Sequence, residues 1–356
     1  MSEPTKTTRR DFLKGKSVVE SLGDAVIGSP ENLPPPQAAQ SGRTYLLQIA
    51  RQAMACEFEV LLNAGQYAGG ADAALAALDL VEQLEAQFTV YRDTSELVAI
   101  NRRAAHEAVT VEPRLFDILS RAVELYAVTG GALDTTSGPL SKIWGFYRRQ
   151  GTMPAAAEVA AALALVGSDK LVLDRAQRTI RFQQPGMELN LGAIGKGHAL
   201  DRAAEVLQNA GVHDFCIHGG NSSVLARGNR IAPGWSIALR HPLKPEIRLA
   251  EFQLVDQALG TSGSGSQFFH YQGKRYGHIL DPRTGWPADK VLSATVVAPT
   301  AEQADALSTA LYVMGLEAAH KFCQTRPDIS ALLVTTGAGA TELHPINLPD
   351  EDWRRL

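Results

Sequence analysis

Apolar residues recur at helical spacing over residues 71–88, where Leu75, Leu78, Val81, Leu84 and Phe88 share one side of a 3.6-residue repeat. The same spacing predicts helices over 114–128, closed by Gly130-Gly131, and over the alanine-rich stretch 155–165. Another is predicted over 196–210, with Ala199, Leu200, Ala203, Val206 and Leu207 inward and Gly211 as its stop. Helix returns near 301–325, where Thr300 and Gln303 have the pattern of a capping box and Gly315 offers a C-terminal stop.

Shorter apolar runs predict strands at Tyr45-Leu-Leu, at 58–62, at 187–191, repeatedly over 213–298, and last at 329–335. Residues 170–173 and 179–182 read as a hairpin joined by Asp174-Arg-Ala-Gln, and the stretch containing Tyr91-Arg92 and Ser95-Glu-Leu reads as a loop. Strands and helices are interspersed without regular βαβ alternation or internal repeat, so the pattern predicts an α+β fold.

Composition narrows the class. The chain has 356 residues, 45% hydrophobic and 20% charged, with a formal net charge of −4. That suits a globular protein with a sizeable core. It offers no basic, aromatic-studded stripe for nucleic acid and no apolar run of bilayer length. Cys56, Cys216 and Cys323 are scattered, so neither a zinc site nor a disulfide framework is expected.

Residues 1–43 are expected to be a leader and tether. Thr8-Arg-Arg-Asp-Phe-Leu-Lys14 has the form of a twin-arginine export signal, but Lys16, Glu20 and Asp24 interrupt the apolar run that should follow. Pro34-Pro-Pro and a Gln/Ala/Ser/Gly stretch end the segment. The folded domain is expected over 44–350. A working leader implies the cell envelope or periplasm; otherwise the chain is expected in the cytoplasm.

Several segments carry candidate chemistry. Asp305 and Thr309 stand four apart, so a helix presents both on one face. A carboxylate and a hydroxyl held rigidly suit a hard cation such as Mg²⁺; the pair alone equally fits an ordinary helix with an exposed aspartate. Leu191-Gly-Ala-Ile-Gly-Lys-Gly197 joins a predicted strand to a helix, where glycines admit a ligand to the backbone and the helix N-terminus favours anions. Lys196 adds positive charge there, although neither GxxxxGK[ST] nor GxGxxG is present. His218-Gly-Gly-Asn and Thr261-Ser-Gly-Ser-Gly-Ser are further small-residue turns. Asp134, in Gly131-Ala-Leu-Asp-Thr-Thr, could accept hydrogen bonds from a ligand or cap the next helix. Tyr91 offers a flat face for stacking. His278-Ile-Leu-Asp281-Pro-Arg-Thr-Gly combines a proton carrier with a stiff turn.

In this order, Asn190-Leu-Gly-Ala-Ile-Gly-Lys-Gly, His218-Gly-Gly, Thr261-Ser-Gly, His278-Ile-Leu-Asp-Pro-Arg-Thr-Gly and Ala304-Asp-Ala-Leu-Ser-Thr resemble the ApbE family of FAD:protein FMN transferases. The likeness runs over about residues 45–345. It implies a T-fold-related core of antiparallel sheets packed with helices. It also implies Mg²⁺-dependent cleavage of FAD, with FMN passed to a threonine hydroxyl of an acceptor flavoprotein and AMP released. By position, Met54, Tyr91, Ala132, Leu133, Asp134, Asn190 and Lys196 match FAD contacts, as does Ile279 or Leu280. The metal ligands match the Ala193 carbonyl, Asp305 and Thr309, with Ser308 adjacent. His278 matches the residue that assists proton transfer, and Asp281 is either the base itself or the group that orients the histidine.

The sequence departs from the family pattern in places. Asn190 stands where an acidic residue is usual, Ser264-Gly-Ser follows Thr261-Ser-Gly where Asp and an aromatic are common, and Asn221-Ser-Ser lacks an acid. Two alternatives use the same residues: an FAD pyrophosphatase giving AMP and FMN, and a non-catalytic FAD-binding protein.

Overall fold

The chain builds its site on one broad antiparallel sheet backed by three helices. The computed structural model describes residues 45–356, apart from residues 149, 231, 264, 266, 338 and 339. The expected leader and tether over 1–43 lie outside the described residues, as do Ser264 and Ser266.

The first strands and helices are β1 (Leu46–Ala53), β2 (Cys56–Asn63), α1 (Gly70–Phe88), α2 (Glu96–Arg103), β3 (Val109–Thr110) and α3 (Pro113–Val128). Then come α4 (Gly138–Ile143), α5 (Ala156–Leu163), β4 (Leu171–Asp174), β5 (Thr179–Phe182) and α6 (Gly195–Asn209). β6 (Phe215–Gly219), β7 (Ser223–Arg227), β8 (Trp235–His241), β9 (Lys244–Leu254), β10 (Ala258–Gly263), β11 (Phe268–Tyr271), β12 (Lys274–Gly277) and β13 (Ser293–Ala298) follow. The chain continues through α7 (Ala301–Met314), α8 (Leu316–Gln324), β14 (Ser330–Thr336), β15 (Thr341–Ile346) and β16 (Trp353–Arg355).

The main sheet runs β1-β2-β6-β7-β10-β13-β14-β15, every neighbour antiparallel. Smaller sheets are β16-β9-β8, β3-β5-β4 and the hairpin β11-β12. α6 packs against both α1 and α7, and α7 lies against β10 and β13. β13 is buried at every position, and α7 is buried almost all round. Each fully buried Leu or Val here is worth about 1.5–3 kcal/mol.

Close backbone approach seats α7. A Cβ on Gly260 of β10 would come within 2.3 Å of the Ala304 carbonyl, and one on Gly197 of α6 within 2.1 Å of the Ala301 carbonyl. Side-chain-free surfaces at both points bring Asp305 down onto the sheet. Asp201 of α6 accepts hydrogen bonds from Ala301 N and Glu302 N, both at 2.9 Å, and so caps α7 from another helix. The Thr300 hydroxyl accepts from Gln303 N at 3.2 Å, but the return half of the expected capping box is missing, since the buried Gln303 Oε1 has no partner.

Other differences from the sequence reading are local. The stretch read as a loop after Tyr91 contains α2, started by the Ser95 hydroxyl accepting from Val98 N at 3.1 Å. Residues 187–191 form no regular strand and make a single bridge, Ser137 with Glu188. The Asn101 side chain supplies the partner a strand would have had, accepting from Leu189 N at 2.8 Å and donating to its carbonyl at 3.0 Å. Gly315, at φ +78°, ends α7 as the sequence suggested, and α8 starts immediately beyond it.

Candidate active site

A cavity of about 450 Å³ opens where the β1–β2 turn, the N-terminus of α6, the end of β10, the 278–282 loop and α7 meet. Met54, Tyr91, Ala132, Leu133, Asp134, Asn190, Ala193, Lys196, His278, Ile279, Asp305 and Thr309 all line it. Ser308 and Asp281 do not. Met54 and Ala55 reach it from a two-residue hairpin turn, both at positive φ (49° and 61°). Such a turn matches the twist of its strands but is strained for residues with a Cβ.

Asp305 is the organising group, its side chain only 5% exposed. Its Oδ1 accepts from the Lys196 ammonium at 3.2 Å and from the Ser223 hydroxyl at 2.9 Å, while Oδ2 accepts from Gly197 N at 3.0 Å. One helical turn on, the Ser262 hydroxyl lies 3.0 Å from both Ser308 Oγ and Thr309 Oγ1. Ser308 itself is fully buried and donates to the Asp305 carbonyl at 2.9 Å, so it supports the floor beneath Thr309.

This donor set tests the metal expectation. No cluster of three His, Cys, Asp or Glu side chains suited to a metal exists among the described residues. Two carboxylates line the cavity, but Asp134 is taken up by Thr136 and Ser168, which leaves Asp305 with the Thr309 hydroxyl and Ala193. An all-oxygen set with a single charge fits Mg²⁺, which keeps several positions for water and phosphate oxygens, and does not fit zinc or copper.

His278 lines the same cavity. Its Nδ1 is 3.1 Å from the Gln267 carbonyl. A carbonyl only accepts, so Nδ1 carries the hydrogen and Nε2 keeps its lone pair. Burial holds the imidazole below the usual histidine range, with the Lys196 charge adding to that effect against the Gln267 carbonyl. His278 is therefore neutral at neutral pH.

Asp281 is otherwise engaged. Its Oδ1 accepts from Arg283 N and Nε at 3.0 and 2.8 Å, its Oδ2 from Arg283 Nη2 at 2.8 Å, and its backbone closes the turn to Gly285 and Trp286. Among the described residues it makes no hydrogen bond to the His278 side chain, and it does not line the cavity. Asp134 is likewise committed. Thr136 N and Oγ1 and Ser168 Oγ donate to its Oδ1, and Ser168 N to Oδ2, so it pins the 134–136 turn and does not cap α4. Asn190 Oδ1 accepts from Gly192 N at 2.8 Å and shapes the glycine turn. Tyr91 is 65% exposed at the cavity rim, its ring 4.9 Å from that of Tyr147.

Ser223, Ser262 and Gln267 were not singled out as site residues. Ser262 and Ser223 lay inside small-residue segments already noted. Gln267 left no signal, because a lone glutamine on a loop is unremarkable until folding supplies its partner.

The ApbE family model matches residues 53–333, a span that contains every cavity residue named above. The chain belongs to the ApbE family. A Klebsiella pneumoniae (strain 342) FAD:protein FMN transferase is 34% identical over 269 residues, covering 74% of this chain and 83% of that protein. The Vibrio cholerae (O395) FAD:protein FMN transferase is 32% identical over 267 residues, covering 74% and 79%. Among solved structures, an ApbE protein from Thermotoga maritima superposes with a TM-score of 0.77 at 28% identity, covering 84% of this chain and 96% of that one. The flavin transferase ApbE from Vibrio cholerae gives 0.76 at 27% identity, covering 85% and 98%. This ApbE-family chain thus has the α+β fold expected of it, with antiparallel sheets and packed helices.

Proposed function

We propose that this chain is an FAD:protein FMN transferase, moving the FMN moiety of FAD to a threonine hydroxyl of an acceptor flavoprotein and releasing AMP. The observation that carries the reading is that one cavity gathers Asp305, Thr309, Lys196 and a neutral His278 with a free Nε2. The Asp305 carboxylate, the Thr309 hydroxyl and the Ala193 carbonyl would hold Mg²⁺, with Ser308 and Ser262 fixing Thr309. When bound, the ion supplies positive charge against the diphosphate and so improves AMP as a leaving group.

The remaining roles fall to the protein. Tyr91 stacks on a ring of the dinucleotide at the rim, and the Met54–Ala55 turn and 132–134 loop wall the cavity. Lys196 and the first amides of α6 take the diphosphate charge. His278 Nε2 accepts the proton of the threonine hydroxyl as its oxygen attacks the FMN phosphorus and the bond to AMP breaks. Arg283 holds Asp281 to the turn that presents His278, which favours the histidine as base.

Incubation of the purified chain with FAD, Mg²⁺ and a candidate acceptor tests this. The expected result is an FMN-sized mass gain on the acceptor with equal AMP. Free FMN and AMP alone would mean a pyrophosphatase, and tightly held FAD without AMP a binding protein. Export by the leader belongs to the same proposal; N-terminal sequencing of the protein from the envelope fraction checks it, and recovery only from the cytoplasm with Met1 or Ser2 intact sinks it.

A further inference from the structure

Lys196 and Asp305 have a relationship that a phosphate-binding lysine does not require. The ammonium lies 3.2 Å from Oδ1 of Asp305, the carboxylate that lines the cavity together with Thr309 and Ala193. The carboxylate is 5% exposed and the lysine side chain 23%. A charge that deeply buried needs a counter-charge, and removing one partner of such a pair is strongly destabilising. Its other contacts, the Ser223 hydroxyl and Gly197 N, are neutral donors. Lys196 is thus the only cation bonded to Asp305 among the described residues.

We propose that Lys196 is a built-in counter-cation that a divalent ion must displace from Asp305, and that the diphosphate of the dinucleotide is the anion that draws it away. This rests on the function proposed above and adds to it a coupling between the two ligands. A divalent ion arriving alone meets an ammonium already on its carboxylate, and two cations on one oxygen repel. A dinucleotide arriving alone meets an ammonium held back by Asp305. When both arrive, the lysine moves to the diphosphate and the ion takes the carboxylate, so each ligand removes the obstacle to the other. Thermodynamic reciprocity requires that the metal tighten the dinucleotide by the same factor as the dinucleotide tightens the metal. The consequence is an Asp305 carboxylate that stays neutralised when no substrate is present and does not collect divalent ions idly. Ser223 is the hinge of the exchange, because it holds Oδ1 in place while its cationic partner changes.

The test is Mn²⁺ binding to the full-length chain, read by the electron paramagnetic signal of free Mn²⁺, with and without FAD. In wild type, FAD is expected to tighten Mn²⁺ by about tenfold or more, within the usual range of coupling. Lys196→Met is expected to bind Mn²⁺ without FAD at least about tenfold more tightly than wild type, with the FAD effect falling towards one. Lys196→Arg, which keeps a cation, should behave like wild type. Melting temperatures give a second reading that survives a destabilised variant: Mn²⁺ alone should raise that of Lys196→Met far more than that of wild type. Equal or weaker Mn²⁺ binding by Lys196→Met, with FAD coupling unchanged, overturns the proposal while leaving the transferase reading standing. Wild type that binds FAD but no Mn²⁺ under any condition overturns both the exchange and the metal assignment.

Discussion

Gly197 N donates to Asp305 Oδ2 at 3.0 Å, joining the first turn of one helix to the second turn of another across 108 residues of chain. A Cβ on Gly197 would come within 2.8 Å of the Asp305 Cβ and 2.1 Å of the Ala301 carbonyl. The contact exists because nothing but a glycine fits between α6 and α7. His198, the next residue, extends the same seam: its Nδ1 lies 2.8 Å from Glu302 Oε2, and Arg121 pairs with the same carboxylate.

Gly197→Ala is therefore expected to push the two helices apart. Overpacking of this kind costs about 1–3 kcal/mol, measurable by urea unfolding, and the shifted carboxylate should lower Mg²⁺-dependent AMP release further than the stability loss explains. A variant as stable as wild type would contradict the seam.

The imidazole assignment has a pH consequence. Folded His278 titrates below about 6.5, the value of the unfolded chain, so the rate of transfer should rise with an inflection under that value and be flat at neutral pH. Between the two values the unfolded chain holds more protons, so His278 also makes the fold less stable as pH falls through that window. His278→Gln should lose the acid inflection and about 10²–10⁴ in rate while still quenching FAD fluorescence. Retention of the inflection would move the base elsewhere.

Asp201 behaves in the opposite sense. Burial, as the main cause, pushes it up to about 6. The folded chain keeps a proton that unfolded aspartate releases near about 3.9. That contribution to stability is present at low pH and is lost as pH rises through about 6. Asp201→Asn removes the titration, so its melting temperature relative to wild type should climb between about pH 4 and pH 7. Parallel curves for the two proteins would show that Asp201 is not the group responsible.

Tyr91 separates binding from folding. Exposed at the rim and touching the Tyr147 ring, it contributes little to the core. Tyr91→Ala should raise KM for FAD by about tenfold, in line with about 1–3 kcal/mol for base–aromatic stacking, and leave the melting temperature within a degree or two of wild type. An unchanged KM would place the stacked ring elsewhere.

Much of this was legible in the chain. The amphipathic repeat over 71–88 lies within α1 (Gly70–Phe88), and the glycine stop at 315 ends α7. Asp305 and Thr309 were paired by helical spacing alone. The 187–191 stretch misled, because an apolar run reads as a strand whether its partner is another strand or, as here, the Asn101 side chain. α2 was missed because its eight residues carry barely two turns of periodicity. Asp281 read as either the base or the group that orients His278, because an acid three residues from a histidine suits both; its bidentate Arg283 partner, which shows where the carboxylate is bonded, needed the structure.

Local periodicity, turn chemistry and the order of the small-residue blocks were enough to define the class of fold and the elements that carry the chemistry, since those depend on near neighbours in the chain. Which carboxylate is buried, which histidine nitrogen is free and which lysine neutralises which acid depend on residues about a hundred positions apart, as with Lys196 and Asp305, 109 residues distant. Burial and hydrogen bonding set those properties, and both come into being only when the sheet and its three helices close around the cavity.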